Sequence, residues 1–131
     1  MPAYAIAHLQ DLRFGPDIVA YLQAIDRTLA PYGGQFLVHG SPAEVLEGPF
    51  SGDVVIIAFP DRAQAGAWYA SPAYQEILPL RTRNARCWVV LVDGAGEGHR
   101  ATDLLREPAW CTNQVPWCTR PNPVRGQAVR T

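Results

Sequence analysis

Residues 53–60, DVVIIAFP, are apolar without interruption from Val54 to Phe59 and end at a proline. Alternate side chains of a strand point to opposite faces, so Val54, Ile56 and Ala58 lie on one face and Val55, Ile57 and Phe59 on the other. Neither face is fit for water, and such a strand has to be covered on both sides. Residues 87–94, CWVVLVDG, repeat the pattern, with Cys87, Val89 and Leu91 opposed to Trp88, Val90 and Val92. Any sheet containing these two strands needs a cover on each face.

The rest of the chain supplies one such cover. AYAIAHLQ, residues 3–10, reads as a strand with Tyr4, Ile6 and His8 on one face and Ala5, Ala7 and Leu9 on the other. GPDIVAYLQAIDRTLAPYGG follows, with Gly15 and Pro16 opening a helix, Asp17 at the positive end of its dipole and Gly33 or Gly34 ending it. Ile18, Leu22, Ile25 and Leu29 are its expected apolar stripe. QFLVHG, residues 35–40, is a second strand, which AEVLEG, residues 43–48, is expected to extend beyond the turn at Ser41-Pro42. Asp61 with Gln64 forms a capping-box signature for a second helix, and Ser71-Pro72 caps a further helical piece. The order is β-α-β-β-α-β, an α+β, ferredoxin-like pattern with a four-stranded antiparallel sheet. Its helices cover one face only. A second copy of the same sheet, packed face to face as a homodimer, is the economical cover for the other, and the tail folding back across it is the rival.

Length and charge narrow the function classes. The chain has 131 residues, 48% hydrophobic and 18% charged, which suits one core with an appendage. We expect a domain over residues 1–94 and, over residues 95–131, an irregular C-terminal arm rich in Pro, Gly and Arg that packs on its own or the partner subunit. The arm holds a short helical turn at TDLLRE and an internal echo, Trp110-Cys111-Thr112 and Trp117-Cys118-Thr119. A formal net charge of −1 offers no concentrated positive field, so nucleic acid and anionic membrane surfaces are not expected partners. No apolar run approaches the ~18 residues of a spanning helix. With three cysteines, an odd and widely spaced set, the expected location is the cytoplasm.

Few residues stand out as chemical. In WYASPAYQEILPLR, residues 68–81, Tyr74, Ile77, Leu78 and Arg81 fall on one helical face. An arginine on a core-facing stripe snorkels to the edge, pairs with a carboxylate such as Glu47, or meets a ligand anion in a cavity. Pro79 removes the amide that would bond the Gln75 carbonyl, so the last turn is expected to be distorted. His39, near the end of its strand, offers an imidazole for proton transfer, whereas His8 reads as a satisfied interface or core histidine. One of Trp68 and Tyr69 is expected in the core and the other on a pocket wall. Cys111 and Cys118 lack the close spacing of metal ligands, and Gly94, Gly96 and Gly98 follow a strand without opening a helix. No metal or cofactor is expected.

PYGGQFLVHG, VLEG, VVIIAFPD and AWYASPAYQEILPLR, at these spacings, resemble the small domain-of-unknown-function family 1330 of the dimeric α+β-barrel superfamily. The resemblance spans Tyr4 to Gly94 and implies a ferredoxin-like fold whose sheets pair face to face in a homodimer. It draws attention to Glu47, which stands in the VLEG motif. Two departures are visible: His39 occupies a position where the family commonly has Arg, and Pro79 interrupts a helix that the family continues. The resulting expectation is one pocket per subunit for a small anionic or carbonyl compound. His39 and Arg81 are its candidate catalytic residues, and Trp68, Tyr74 and Glu47 are ligand-binding. The chemistry would be proton transfer or oxygenation without a cofactor, as on other members of the superfamily. The alternative is a non-catalytic dimeric interaction module using the aromatic face and the arm.

Overall fold

The computed structural model describes residues 1–105; the tryptophan-cysteine-threonine echo of the arm lies outside them. The chain divides into compact units at Gly94. The first contains β1 (Ala3–Gln10), α1 (Pro16–Leu29), β2 (Gln35–His39), β3 (Asp53–Phe59), α2 (Arg62–Ala70), α3 (Pro72–Thr82) and β4 (Arg86–Asp93). The four strands are antiparallel throughout and lie in the order β2-β3-β1-β4, the ferredoxin-like arrangement. In the second unit, Ala101–Leu105 form a 3₁₀ turn, begun where Asp103 accepts a hydrogen bond from the Arg100 amide at 3.1 Å. Among the described residues no helix is long and apolar enough to cross a membrane.

Register assigns the faces. Ala3, Ala5 and Ala7 of β1 pair with Phe59, Ile57 and Val55 of β3 and with Asp93, Leu91 and Val89 of β4; the apolar residues of this set face the helices. Tyr4, Ile6 and His8 face away with Val54, Ile56, Ala58, Trp88, Val90 and Val92. Among the described residues no element covers this second face: Trp88 is 66% and Val90 52% exposed. His8 sits on it, with its Nε2 2.6 Å from the Ser51 carbonyl and its ring stacked on Phe50 at 5.0 Å.

Several elements differ from the sequence reading. The buried face of α1 is Ile18, Tyr21, Ile25, Thr28 and Leu29, while Leu22 is 38% exposed; the helix is turned so that a phenol and a hydroxyl face inward. Thr28 is tolerated there because its Oγ1 donates to the Ile25 carbonyl and accepts from Trp68 Nε1 at 3.0 Å. Residues 43–48 form no strand; they belong to an exposed loop, and the ladder ends where the Gly40 amide bonds the Val54 carbonyl. α3 runs through Pro79 without a break. Gln75 and Pro79 are exposed, so the carbonyl that loses its amide partner is open to water.

The helix junctions follow their caps. Asp61 accepts from the Gln64 amide at 2.8 Å, and Ser71 Oγ accepts from the Tyr74 amide at 3.2 Å while donating to the Trp68 carbonyl. The paired glycines before β2 have separate duties. Gly33 ends the turn after α1 with φ of 71°, a left-handed conformation suited to glycine. Gly34 fits a tight gap: a Cβ there would stand 2.7 Å from Leu29 Cδ2 and 2.9 Å from Phe59 Cε1. Both neighbours are 2% exposed and have nowhere to go. Gly34→Ala should therefore destabilise by about 1–3 kcal/mol through overpacking. Gly66→Ala, inside α2 with open space around the added Cβ, should stabilise by about 0.5–1 kcal/mol. Urea denaturation of the two variants beside the wild type checks the opposite signs.

Candidate functional site

The helix-facing residues of β1 are small, and this creates the site. Where Phe59, Trp68 and Tyr74 pack against the sheet, rings fill the room above the alanines; Trp68 lies 5.4 Å from Phe59 and 4.1 Å from Tyr74, centroid to centroid. Farther along β1 that room stays empty. It forms a cavity of about 210 Å³ between the sheet and the helices. Ala5, Ala7 and Leu9 form part of its floor, and Ile18, Tyr21, Ile25, Trp68, Tyr74 and Arg81 come to it from the helices. Phe14, His39 and Asp53 also line it, and the first two mark its mouth: Phe14 is 69% exposed and His39 is exposed.

Arg81 is the polar centre of the buried end. It is 5% exposed and, among the described residues, has no carboxylate within ion-pair distance. Its Nη2 donates to Tyr74 Oη at 3.3 Å, and its Cζ stands 5.9 Å from the centre of the Tyr21 ring. Tyr74 and Tyr21 share a hydrogen bond of 2.7 Å. Two phenols own two O–H protons and spend one between them, so one proton is left for a third partner. Burial works against the guanidinium's charge, but the oxygens of Tyr74 and Tyr21 and the sulfur of Cys87 outweigh it and hold Arg81 above its ordinary pKa. Burial, reinforced by Tyr74, also raises Tyr21 well above the usual tyrosine range. The site is thus a fixed cation beside two tyrosine hydroxyls, a donor-rich patch on the wall of a mostly apolar chamber.

The positions of these groups follow from how α1 and α3 are joined. Asp17, in the first turn of α1, accepts from Asn84 Nδ2 at 3.0 Å and Arg83 Nη2 at 3.1 Å, just beyond α3. The Asn84 amide and the Arg83 guanidinium hold the Asp17 carboxyl below its ordinary range. One turn along α1, Tyr21 meets Tyr74, and on α3 the spacing from Tyr74 to Ile77 to Arg81 keeps all three on the buried face.

Four of the residues singled out in the sequence line this one cavity: His39, Trp68, Tyr74 and Arg81. Trp68 is both core and wall, at 2% exposure. His39 reaches the helix side through a register shift between Phe36 and Val38, which also lets it stack on Phe36 at 4.1 Å. Glu47 does not join them; it lies in the exposed loop between β2 and β3 and is not paired with Arg81. Tyr21, Asp53 and Phe14 were not singled out. Tyr21 had a signal, because it falls three residues after Ile18 and four before Ile25, the spacing of a core stripe. Among the described residues, no three His, Cys, Asp or Glu side chains gather as metal ligands would.

This is a ferredoxin-like α+β domain with a partly open, apolar chamber under its helices. Residues 2–95 match the family described as Domain of unknown function (DUF1330), and the chain belongs to it. Solved structures agree on the fold. A protein of unknown function from Rhodopseudomonas palustris is 19% identical, with 72% of this chain and 83% of that one covered and a TM-score of 0.57. Its methylated form gives 18% identity, coverage of 75% and 84%, and a TM-score of 0.59. A dimeric ferredoxin-like protein of unknown function from Jannaschia sp. CCS1 is 15% identical over 72% of this chain and 100% of its own, with a TM-score of 0.54. No curated protein matches the chain significantly.

The raised Tyr21 pKa makes stability depend on pH in a definite direction. In the unfolded chain Tyr21 loses its proton near pH ~10, whereas in the folded chain it keeps it, so above that pH the folded state binds more protons. Stability then falls as pH rises, with a limiting slope of about 1.4 kcal/mol per pH unit for one group. Tyr21→Phe should cost about 1–2 kcal/mol at neutral pH through the lost Tyr74 bond, and the gap to wild type should narrow between pH 9 and 11. Denaturant titrations of both proteins across that range measure it.

Proposed function

We propose that the chain works as a homodimer in the cytoplasm and that each subunit binds a small molecule in the cavity, through an oxygen of the ligand held by Arg81 and the tyrosine pair. One observation carries the reading: a guanidinium 5% exposed, with no carboxylate within ion-pair distance among the described residues, on the wall of a mostly apolar cavity. A lone charge so placed costs several kcal/mol unless something compensates it. Phenol oxygens compensate in part, and a ligand oxygen completes the set. In a catalytic version, Arg81 and the spare phenol proton would stabilise developing negative charge. His39 would be the general acid or base, acting on the part of the ligand nearest the mouth.

The homodimer rests on the open face. Trp88, Val90 and Val92 are exposed side by side on it, and a contiguous apolar patch of this kind marks an interaction surface. The Jannaschia protein of the same fold is described as dimeric. A face that pairs with its own copy needs only one sequence to be complementary to itself. Light scattering should give a dimer for the full chain and a monomer for the Trp88→Glu, Val90→Asp double variant; a monomeric wild type would overturn the assembly.

The pocket has its own test. A thermal-shift screen of small carboxylates and neutral carbonyl compounds should return stabilising ligands, because a molecule that binds only the native state raises its apparent stability. Ala7→Leu places a larger side chain in the cavity floor and should abolish those shifts while leaving the unliganded protein folded. A screen without stabilising compounds, or shifts unchanged in Ala7→Leu, would count against the cavity as the binding site.

A further inference from the structure

Building on the reading that the cavity holds a small molecule, we infer that its ligand is a monocarboxylic acid with a compact aromatic or branched body, bound carboxylate-first against Arg81. The charges set the orientation. Arg81 lines the cavity at 5% exposure with no carboxylate within ion-pair distance among the described residues, and the lining carboxylate, Asp53, is half-buried. A ligand carboxylate placed away from Arg81 would leave the guanidinium uncompensated. Placed on Arg81, it gives the guanidinium a counterion.

The donor count selects a carboxylate over a neutral carbonyl. Arg81 gives one hydrogen bond to Tyr74 and has further N–H groups, and the tyrosine pair retains one O–H proton. A carboxylate has two oxygens with which to accept from both sources, and each bond is charge-assisted. A ketone or amide oxygen has one oxygen and no charge. A phosphate, by contrast, brings close to two charges at neutral pH, and among the described residues Arg81 is the one guanidinium or ammonium that lines the cavity.

The remaining walls describe the body of the ligand. Leu9, Ile18, Phe36, Val55, Ile57 and Val89 make most of the remaining lining apolar, and they offer no partner to a second charge. An apolar cavity of about 150 Å³ is enough for benzene, and the volume here is about 210 Å³. The difference accommodates a carboxylate on a short stem. Phe14, apolar yet 69% exposed at the rim, is placed to cover the outer edge of such a body.

Calorimetric titration of the full-length protein with phenylacetate, its neutral near-isostere phenylacetamide, and acetate tests the inference. Phenylacetate should bind more tightly than phenylacetamide by about tenfold or more, the margin of a charge-assisted pair over a neutral one. Acetate, lacking the body, should bind more weakly than phenylacetate. Arg81→Met, which keeps the bulk and removes the charge, should erase the preference, and Arg81→Lys should keep part of it. Equal or tighter binding of phenylacetamide, or a preference that survives in Arg81→Met, would overturn the carboxylate assignment while leaving the cavity as a binding site. Binding of neither aromatic probe would overturn the inference too, and a silent thermal-shift screen alongside it would remove the pocket reading as well. The comparison among probes on the wild type holds even where a variant fails to fold.

Discussion

The helical layer keeps its distance from the sheet because it is fastened to itself by polar contacts. Trp68 Nε1 bonds Thr28 across the gap between α2 and α1, Tyr21 bonds Tyr74 between α1 and α3, and Asp17 is gripped by Arg83 and Asn84 at one end. The two buried bonds, Trp68 to Thr28 and Tyr21 to Tyr74, contribute only about 0.5–1.5 kcal/mol each to stability, but breaking one leaves a buried polar atom unpaired at greater cost. They act as spacers. Helix α1 cannot sink onto Ala5 and Ala7 of β1 without losing them, and the volume above those alanines therefore persists as a cavity.

Arg81 depends on the same spacers. A guanidinium on the buried face of a helix is ordinarily drawn to the surface, and α3 ends only one residue later, at Thr82. It stays inside because Tyr74, seven residues earlier on the same face, offers its oxygen, and because Tyr21 presents a ring and a hydroxyl from the neighbouring helix. The tyrosines thus serve packing and electrostatics together. Their rings wall the apolar core while their oxygens carry the one charge that core contains.

How much of this could be read from the sequence varied with the physics involved. Strand and helix order was legible because burial writes itself as a period of two or of 3.6 residues, and the exposed face because β3 and β4 are apolar at both parities. Tyr74 and Arg81 were legible as neighbours because helical spacing places them so. The rotation of α1 was not: Ile18-Leu22-Ile25-Leu29 and Ile18-Tyr21-Ile25-Thr28 are both helical stripes, and only the hydrogen bonds of Tyr21 and Thr28 decide between them. His39 reaches the helix side through an irregularity of register between Phe36 and Val38, which simple alternation does not reveal. Glu47 belongs to a loop that no periodicity constrains, so a motif could draw attention to it without locating it.

The sheet separates the molecule into two sides that answer to different demands. On β4, Val89 and Leu91 serve the helical side, while Trp88 and Val90 serve the open face, and a change at one parity leaves the other in place. The loop between β2 and β3 escapes this division. Gly40 at its start and Asp53 just after it line the cavity, whereas Phe50 stacks on His8 and Ser51 bonds it on the opposite face. Gly40 and Gly52 have φ of 76° and 96°, conformations that favour glycine, and they let the chain leave one face and return from the other within a short span. The same backbone thus shapes the entrance to the cavity and the rim of the open face, which makes this loop the segment where the two sides cannot vary independently.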